Sequence, residues 1–121
     1  MGAVDSRIGL ERRPATFHRF VANVRAAGLD GVIAPIPERS TKVAWRWPIN
    51  LLLVDGLHDA ASVRADVEHF APWLVPGGYL ALHDHCEDFP GVQACARELL
   101  ASGTWEAREQ AGLLLVLQKV R

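Results

Sequence analysis

The sequence has few cysteines, no long apolar run and no excess of charge of either sign. Its two cysteines, Cys86 and Cys95, are too few for a disulfide scaffold. The longest apolar stretches, Ile49–Val54 and Leu113–Leu117, fall far short of the roughly 20 residues that a membrane-spanning helix needs. Thirteen Lys and Arg face fourteen Asp and Glu, and the net charge of -1 argues against binding nucleic acid by general phosphate attraction. We therefore expect neither nucleic acid nor a membrane as a partner.

The length and the N-terminal segment predict a single cytoplasmic domain. A chain of 121 residues can bury a core of sufficient size without covalent cross-links. Charged residues between Asp5 and Arg13 interrupt the apolar run that a secretory signal peptide requires. The prediction is one domain over residues 1–121, located in the cytoplasm.

Short apolar runs alternate with amphipathic segments along the chain. The apolar residues of the amphipathic segments recur every three or four positions, which is typical of helices. Runs that are apolar almost throughout are typical of strands in a parallel sheet covered by helices. The first predicted elements are a strand at Ala3–Asp5, a helix from Pro14 that Gly28 ends, a strand at Gly31–Pro35 and a short helix from Ser40 through Trp45 or Trp47. They are followed by a strand at Ile49–Val54, a helix around Val63–Leu74, a strand at Tyr79–Leu82, a helix around Val92–Leu99, and two strands at Trp105–Gln110 and Leu113–Val120. This order predicts an α/β fold with a mostly parallel sheet and an antiparallel pair of strands at the C-terminus.

Ionisable residues follow three of the predicted strands. Asp5 ends the first, Asp55 follows Ile49–Val54, and the triplet His83-Asp84-His85 follows Tyr79–Leu82. In open α/β sheets, ligands bind outside the carboxyl ends of the strands, so a site is expected there. Asp and His are also common in turns and helix caps, and a cap of the following helix accounts fully for Asp59.

Two kinds of chemistry suit this group of side chains, and the residue types leave both open. Carboxylate and imidazole ligands can hold a divalent metal that orients a substrate hydroxyl and lowers its pKa. Alternatively, His58 or His83 acts directly as a general base near neutral pH. A metal-dependent hydrolase using the same residues is a third interpretation. Successive side chains of a strand point to opposite faces, so the triplet His83-Asp84-His85 cannot present all three side chains to one site, and we do not assign one role to both histidines.

The same segments resemble the class I S-adenosylmethionine-dependent methyltransferases. The resemblance is carried by INLLLVDGLHD from Ile49 and by WLVPGGYLALHD from Trp73, and it extends over nearly the whole chain. The D-G-x-H, L-x-P-G-G and H-D pattern is most similar to the family-24 group, and macrocin-type O-methyltransferases are more distantly similar. The resemblance implies a Rossmann-like sheet. It also implies that the sheet is N-terminally incomplete, because the glycine-rich loop expected before Val4 has no counterpart in the sequence.

The resemblance also implies roles for individual residues. Asp5 would hold the ribose of S-adenosylmethionine and Ser40 would lie near its adenine. Asp55 would contribute to binding the cofactor. Together with His83 and Asp84 it would also bind Mg²⁺ or another divalent cation. His58 would contact the substrate or the metal, and it is our candidate catalytic residue.

The implied function is O-methyl transfer to a small hydroxylated acceptor, such as a sugar or a secondary metabolite. The alternative is a non-catalytic, truncated methyltransferase-like domain that acts in binding or oligomerisation. In that case a homodimer or a partner chain would associate through an exposed edge of the sheet.

Overall fold

The computed structural model describes residues 15–121. These residues fall into two compact units, of which the first ends at Ala44 and the second begins at Trp45. The predicted strand at Ala3–Asp5 lies outside these residues. Within the described part of the chain, no helix is long and apolar enough to cross a lipid bilayer. The prediction of one domain over residues 1–121 stays a prediction, and the two units are described separately.

The first unit, over residues 15–44, contains helix α1 at Ala15–Ala26 and a short 3₁₀ turn at Ser40–Lys42. Gly28 has a φ of 70° just after the helix, and the following Leu29 N–H returns to the carbonyl of Val24 at 2.9 Å. A left-handed glycine with such a returning bond is a common way to end a helix, as the sequence predicted.

The predicted strand at Gly31–Pro35 is wrong. The N–H groups of Val32 and Ile33 both donate to the carbonyl of Leu29, at 2.9 and 2.8 Å, so the backbone turns there instead of extending. Pro35 and Pro37 have no N–H to donate to a neighbouring strand. The apolar residues that suggested a strand therefore lie in a turn and an irregular segment.

The second unit, over residues 45–121, is an α/β layer structure. Its sheet has the order β1-β2-β4-β3, in which β1 and β2 are parallel and the other two pairs are antiparallel. The α/β class and the antiparallel C-terminal pair are thus confirmed, and the parallel pairing seen in the described residues is that of β1 with β2. The elements are β1 (Ile49–Val54), α2 (Ala60–Phe70), a 3₁₀ turn (Ala71–Trp73), β2 (Leu74–Leu82), α3 (Pro90–Ala101), β3 (Trp105–Ala111) and β4 (Leu114–Lys119).

The core of the second unit lies between one face of the sheet and the two helices. Leu80 and Leu117 are neighbours on β2 and β4 and are fully buried. Val63 and Val67 of α2 and Val92 of α3 belong to the same buried cluster. Apolar residues spaced three and four apart give each helix one buried stripe, and this is why the two helices can cover the same sheet face.

The other face of the sheet is open at β1 and β2. Leu51 and Leu53 of β1 are 64% and 57% exposed, and Tyr79 beside Leu51 on β2 is 42% exposed. The uniformly apolar sequence of β1 had predicted burial on both faces. In the structure only the face that carries Leu52 and Val54 packs against the core.

Strands β1 and β2 end level with each other. Val54 pairs with Leu82, and the next N–H, that of His83, donates to the Val54 carbonyl at 3.1 Å. Further back the register shifts, and the backbone of Gly78 lies so close to Asn50 and Val75 that a Cβ would be 3.1 and 2.8 Å from their carbonyl oxygens. The level ends bring the segments that follow β1 and β2 side by side.

Candidate functional site

The side chains that follow β1 and β2 meet at the carboxyl ends of the two strands. His83 Nδ1 lies 3.2 Å from Asp55 Oδ1 and 3.1 Å from Asp84 Oδ1. One potential ligand atom of each residue lies within 4.8 Å of those of the other two. The level register of two parallel strands is the reason that residues nearly 30 positions apart in sequence become neighbours here.

The Asp84 carboxylate joins this cluster to His58. Its Oδ2 lies 2.7 Å from Nε2 of His58, while Oδ1 faces His83. The Asp84 side chain is 15% exposed and the other three side chains are between 41% and 54% exposed. Asp84 is therefore the shared centre of the site, and one carboxylate serves two imidazoles.

The backbone of Asp84 has a left-handed conformation with a φ of 59°. No other residue except glycine has a positive φ in the range 15–121. Aspartate tolerates this region better than most residues, but at a steric cost that recurs at functional sites. The turn redirects the chain immediately after β2, and the two carboxylate oxygens face different partners.

The position of His58 is fixed by two helices, α2, which begins two residues after it, and α3, which packs against its backbone. The side chain of the next residue, Asp59, accepts a hydrogen bond from the Ser62 N–H at 2.9 Å and caps α2, which confirms its predicted role. The backbone of Gly91 in α3 lies so close that a Cβ would be 2.5 Å from the His58 carbonyl oxygen and from the Ala60 nitrogen. The start of α3 therefore packs directly against the His58 backbone.

The ring of Phe89 supports the imidazole of His58. The two ring centroids are 4.0 Å apart with an interplanar angle of 34°. Phe89 also packs against the hydrophobic core, so it links the histidine to the core of the unit. Sequence reasoning missed Phe89, and the only signal was its place before Pro90, which restricts its backbone at the start of α3.

The electrostatics of the site favour an ionised Asp84. Desolvation by burial raises the pKa of this carboxyl group, but the imidazoles of His83 and His58 together outweigh it and hold the pKa below its ordinary value. Asp84 is thus a carboxylate with one oxygen on each histidine.

The donor set of Asp55, His83 and Asp84 suits a divalent cation. Two carboxylates and an imidazole are ligand types that Mg²⁺, Mn²⁺ and related ions accept. The His83 Nδ1 atom is buried, and neither carboxylate near it has hydrogen-bond geometry, so this nitrogen has no hydrogen-bond partner among the described residues. A metal at the centre of the cluster would satisfy that nitrogen, and the residues present therefore fit one.

His85 takes part in a different set of contacts. Its Nδ1 lies 2.8 Å from Oε1 of Gln110 on β3, and its N–H donates to the carbonyl of Leu113 at 2.8 Å. His83 and His85 thus have different partners, because β2 ends at Leu82 and the chain turns at the left-handed Asp84 between them. Gln110 was missed, because nothing in the sequence distinguishes it from an exposed strand residue.

Two of the predicted cofactor residues, Asp5 and Ser40, are not among residues 45–121 of the second unit. Asp5 lies outside the described residues. Ser40 is the first residue of the 3₁₀ turn in the first unit. Their assignments to the ribose and adenine of S-adenosylmethionine stay predictions, as does the cofactor role of Asp55.

A family model described as a methyltransferase domain, of family 24, matches residues 3–85. The match includes β1, α2, β2 and the four side chains of the site. It ends before α3 and the β3–β4 hairpin.

Solved structures of two methyltransferases resemble the chain. The O-methyltransferase NovP superposes with a TM-score of 0.53 at 20% identity, over 61% of this chain and 31% of NovP. The apo structure of CalS11, a TDP-rhamnose 3'-O-methyltransferase of calicheamicin biosynthesis, has a TM-score of 0.49 at 23% identity, over 59% of this chain and 32% of CalS11. The chain spans about a third of the length of either structure. The likeness to NovP supports a Rossmann-like α/β fold, and at this identity it bears on the fold alone.

Proposed function

Because the chain belongs to the family-24 methyltransferase domains, we propose that it transfers a methyl group from S-adenosylmethionine to a hydroxyl of a small acceptor, such as a sugar or a secondary metabolite. The family match carries this proposal. The arrangement at the ends of β1 and β2 supports it, because a histidine held by a carboxylate lies next to a set of potential metal ligands. A cytoplasmic location stays a prediction from the sequence.

In this proposal His58 is the general base. Its Nε2 lies 2.7 Å from Asp84, so that nitrogen carries the proton and Nδ1 has the free electron pair. Nδ1 takes the proton of the acceptor hydroxyl while the oxygen attacks the methyl carbon of the sulfonium. The carbon–sulfur bond breaks, its electron pair stays on sulfur, and S-adenosylhomocysteine leaves. Asp84 orients the imidazole and stabilises the imidazolium that forms, as buried carboxylates do in other His-based sites.

The cluster of Asp55, His83 and Asp84 would hold a divalent cation beside this base. A cation bound there supplies a Lewis acid that lowers the pKa of the acceptor hydroxyl. Against the opposing effect of desolvation, its two imidazole neighbours lower the pKa of Asp84 and favour its ionised form. The protein's own part is to present these oxygen and nitrogen atoms at a fixed spacing.

Isothermal titration with S-adenosylhomocysteine tests the proposed activity. We expect saturable binding, and methyl transfer to a hydroxylated acceptor from labelled S-adenosylmethionine. His58→Gln should keep the binding and lower the rate by about 10²–10⁴-fold, which is the usual contribution of a positioned base. Absence of binding at millimolar ligand would refute the enzymatic proposal for this chain.

A second titration, with Mn²⁺, tests the metal part separately. Asp55→Asn removes one ligand and should abolish binding, whereas Asp88→Asn changes an exposed carboxylate in the loop after the site and should not. If the native protein binds no Mn²⁺, the metal part of the proposal is refuted. The role of His58 is then decided by the methyl-transfer rate of His58→Gln.

We propose as a second candidate a homodimer formed through β1, which an open strand edge favours. Within the described residues, β1 pairs with β2 only and forms the edge of the sheet. Its sequence contains no charged residue or proline that would block pairing, and Leu51 and Leu53 expose an apolar face beside that edge. Antiparallel pairing of two copies of β1 would join the sheets and bring both apolar faces together.

Sedimentation over a range of concentrations tests the dimer. We expect a monomer–dimer equilibrium that Leu53→Lys shifts to monomer. Leu57→Lys is the matched control, because Leu57 is 71% exposed but lies outside β1. A native protein that remains monomeric at all concentrations would rule this candidate out.

A further inference from the structure

The orientation of the Asp84 carboxylate depends on contacts on both sides of a left-handed residue. On one side, the His83 N–H donates to the carbonyl of Val54 in β1 at 3.1 Å. On the other side, the His85 N–H donates to the carbonyl of Leu113 in the β3–β4 loop at 2.8 Å. A positive φ at a residue with a Cβ persists only where the surroundings hold it. Contacts with both β1 and the β3–β4 loop therefore hold the backbone on the two sides of Asp84.

Gln110 adds a side-chain connection at the same place. Its Oε1 accepts a hydrogen bond from Nδ1 of His85 at 2.8 Å, and its Nε2 donates to the carbonyl of Gly112 at 2.7 Å. Both ends of the amide are thus occupied, one by the residue after Asp84 and the other by the hairpin turn. Gly112 has a φ of 58°, which fits the tight two-residue loop between Ala111 and Leu114.

We propose that Gln110 is a positioning residue for the candidate site. By connecting the His85 ring to the hairpin turn, it keeps Asp84 in its left-handed conformation. One Asp84 oxygen then faces His58 and the other faces His83. The chemical meaning of this role rests on the proposed function, but the geometry can be measured without any methyl transfer.

The hairpin contains a second glutamine with a similar pattern of bonds, and it is a matched control. Gln118 of β4 accepts from Nε of Arg108 at 2.7 Å and donates to the carbonyl of Gly77 at 3.0 Å. It connects the hairpin to β2 near Gly77, on the far side of the Tyr79–Leu82 pairing from Asp84. Truncation removes two side-chain hydrogen bonds of Gln118 and three of Gln110, whose Nε2 also donates to the His85 carbonyl at 3.5 Å, and only Gln110 connects to the segment around Asp84.

The experiment compares Gln110→Ala and Gln118→Ala in the full chain by two measurements at one pH. The first is the Mn²⁺ dissociation constant by electron paramagnetic resonance, which Gln110→Ala should raise roughly ten-fold, as loss of outer-shell partners does in metal sites. The second is the NMR signal of the His58 Nε2 proton, which should shift or be lost by exchange as the 2.7 Å contact with Asp84 loosens. Gln118→Ala should leave both unchanged.

His85→Ala breaks the same connection from its other end and decides the question if Gln110→Ala fails to fold. The double variant should be no worse than the more affected single one, because both remove one interaction. Unchanged Mn²⁺ affinity and an unchanged His58 signal in folded Gln110→Ala would overturn the proposal. If the native protein binds no Mn²⁺, the metal part of the proposed function fails, and the His58 signal alone tests the role of Gln110.

Discussion

At the scale of single residues, Asp84 combines a backbone requirement with a chemical one. Its φ of 59° favours glycine, asparagine or aspartate, and its carboxylate contacts two imidazoles. Substitutions can separate the two requirements. Asp84→Gly tolerates the left-handed backbone but has no carboxylate. Asp84→Asn also tolerates this backbone and keeps the shape of the side chain without its charge. Asp84→Ala neither tolerates the left-handed backbone well nor provides a carboxylate.

We therefore predict a ranking of thermal stability among these variants. Asp84→Gly and Asp84→Asn should melt within a few degrees of the native protein, and Asp84→Ala should melt lowest, because alanine in the left-handed region has no local compensation. All three should lose Mn²⁺ affinity. Calorimetry and an Mn²⁺ titration measure the two effects independently. If alanine proved as stable as glycine here, the left-handed backbone would not be a constraint at this position.

A second residue-scale prediction concerns Gly91, which separates α3 from the His58 backbone. A Cβ at this position would be 2.5 Å from two backbone atoms, the His58 oxygen and the Ala60 nitrogen, and neither can move as a side chain can. Gly91→Ala should lower the free energy of unfolding by about 1–3 kcal/mol, the usual cost of overpacking. It should also shift the His58 ring signals in NMR spectra.

Gly31→Ala is the control for Gly91→Ala, since a Cβ at Gly31 would have no heavy atom within 4 Å and its φ lies outside the left-handed region. We expect it to leave both stability and the His58 signals near their native values. Equal effects of the two substitutions would show that the approach of α3 to His58 is not tight.

At the scale of elements, helix α2 begins at a charged cap that gives a prediction about pH. Hydrogen bonds from the side chain and the backbone N–H of Ser62 lower the pKa of Asp59 below its ordinary value of 3.8, with desolvation acting in the opposite direction. A pKa lowered by folding stabilises the protein above the ordinary pKa, and this contribution is lost as the pH falls through the lowered value. The positive end of the helix dipole acts in the same direction.

Asp59→Asn keeps a side-chain acceptor but has no charge to lose. The native protein should therefore melt a few degrees above Asp59→Asn at neutral pH, and the difference should shrink to near zero by about pH 2. Asp59→Ala loses the acceptor as well and should melt lower than Asp59→Asn throughout. Melting curves across this pH range check both statements. A native advantage that persisted unchanged in acid would mean that the Asp59 charge is not its source.

Elements with a strong local pattern could be predicted from the sequence. The helical stripe before Gly28, the apolar run Ile49–Val54 and the cap at Asp59 each specify their structure through nearby residues. The segment Gly31–Pro35 could not be predicted, because its apolar residues resemble a strand while hydrogen bonds to the Leu29 carbonyl turn the backbone. A strand needs a partner, and local composition does not show whether one is available.

The meeting of Asp55, His58, His83 and Asp84 could be predicted in outline, because each follows the end of a strand in an α/β pattern. The order of their contacts could not. That Asp84 is shared between His58 and His83, and that Phe89 and Gln110 support the arrangement, follows from a left-handed turn and a hairpin register. The register joins strands, and the left-handed turn is held by hydrogen bonds to Val54 and Leu113, so both depend on residues far from Asp84 in sequence.

At the scale of the whole molecule, the two faces of the sheet in the second unit differ, and core substitutions should show it. Leu117 is fully buried on the face that α2 and α3 cover, and Leu117→Ala should lower the free energy of unfolding by about 2–5 kcal/mol. Leu53 is also a leucine, but it is 57% exposed on the other face. Leu53→Ala in dilute protein should therefore change the free energy of unfolding by less than about 0.5 kcal/mol.

Urea unfolding of both variants at low and high protein concentration separates the possibilities for the open face. If two copies pair through β1, the effect of Leu53→Ala should grow with concentration, because unfolding of a dimer is linked to its dissociation, whereas the effect of Leu117→Ala should not. A Leu53→Ala cost as large as that of Leu117→Ala at every concentration would mean that the face carrying Leu51 and Leu53 is packed within one chain. The same pair of leucines thus tests both the layer arrangement of the second unit and the proposed dimer edge.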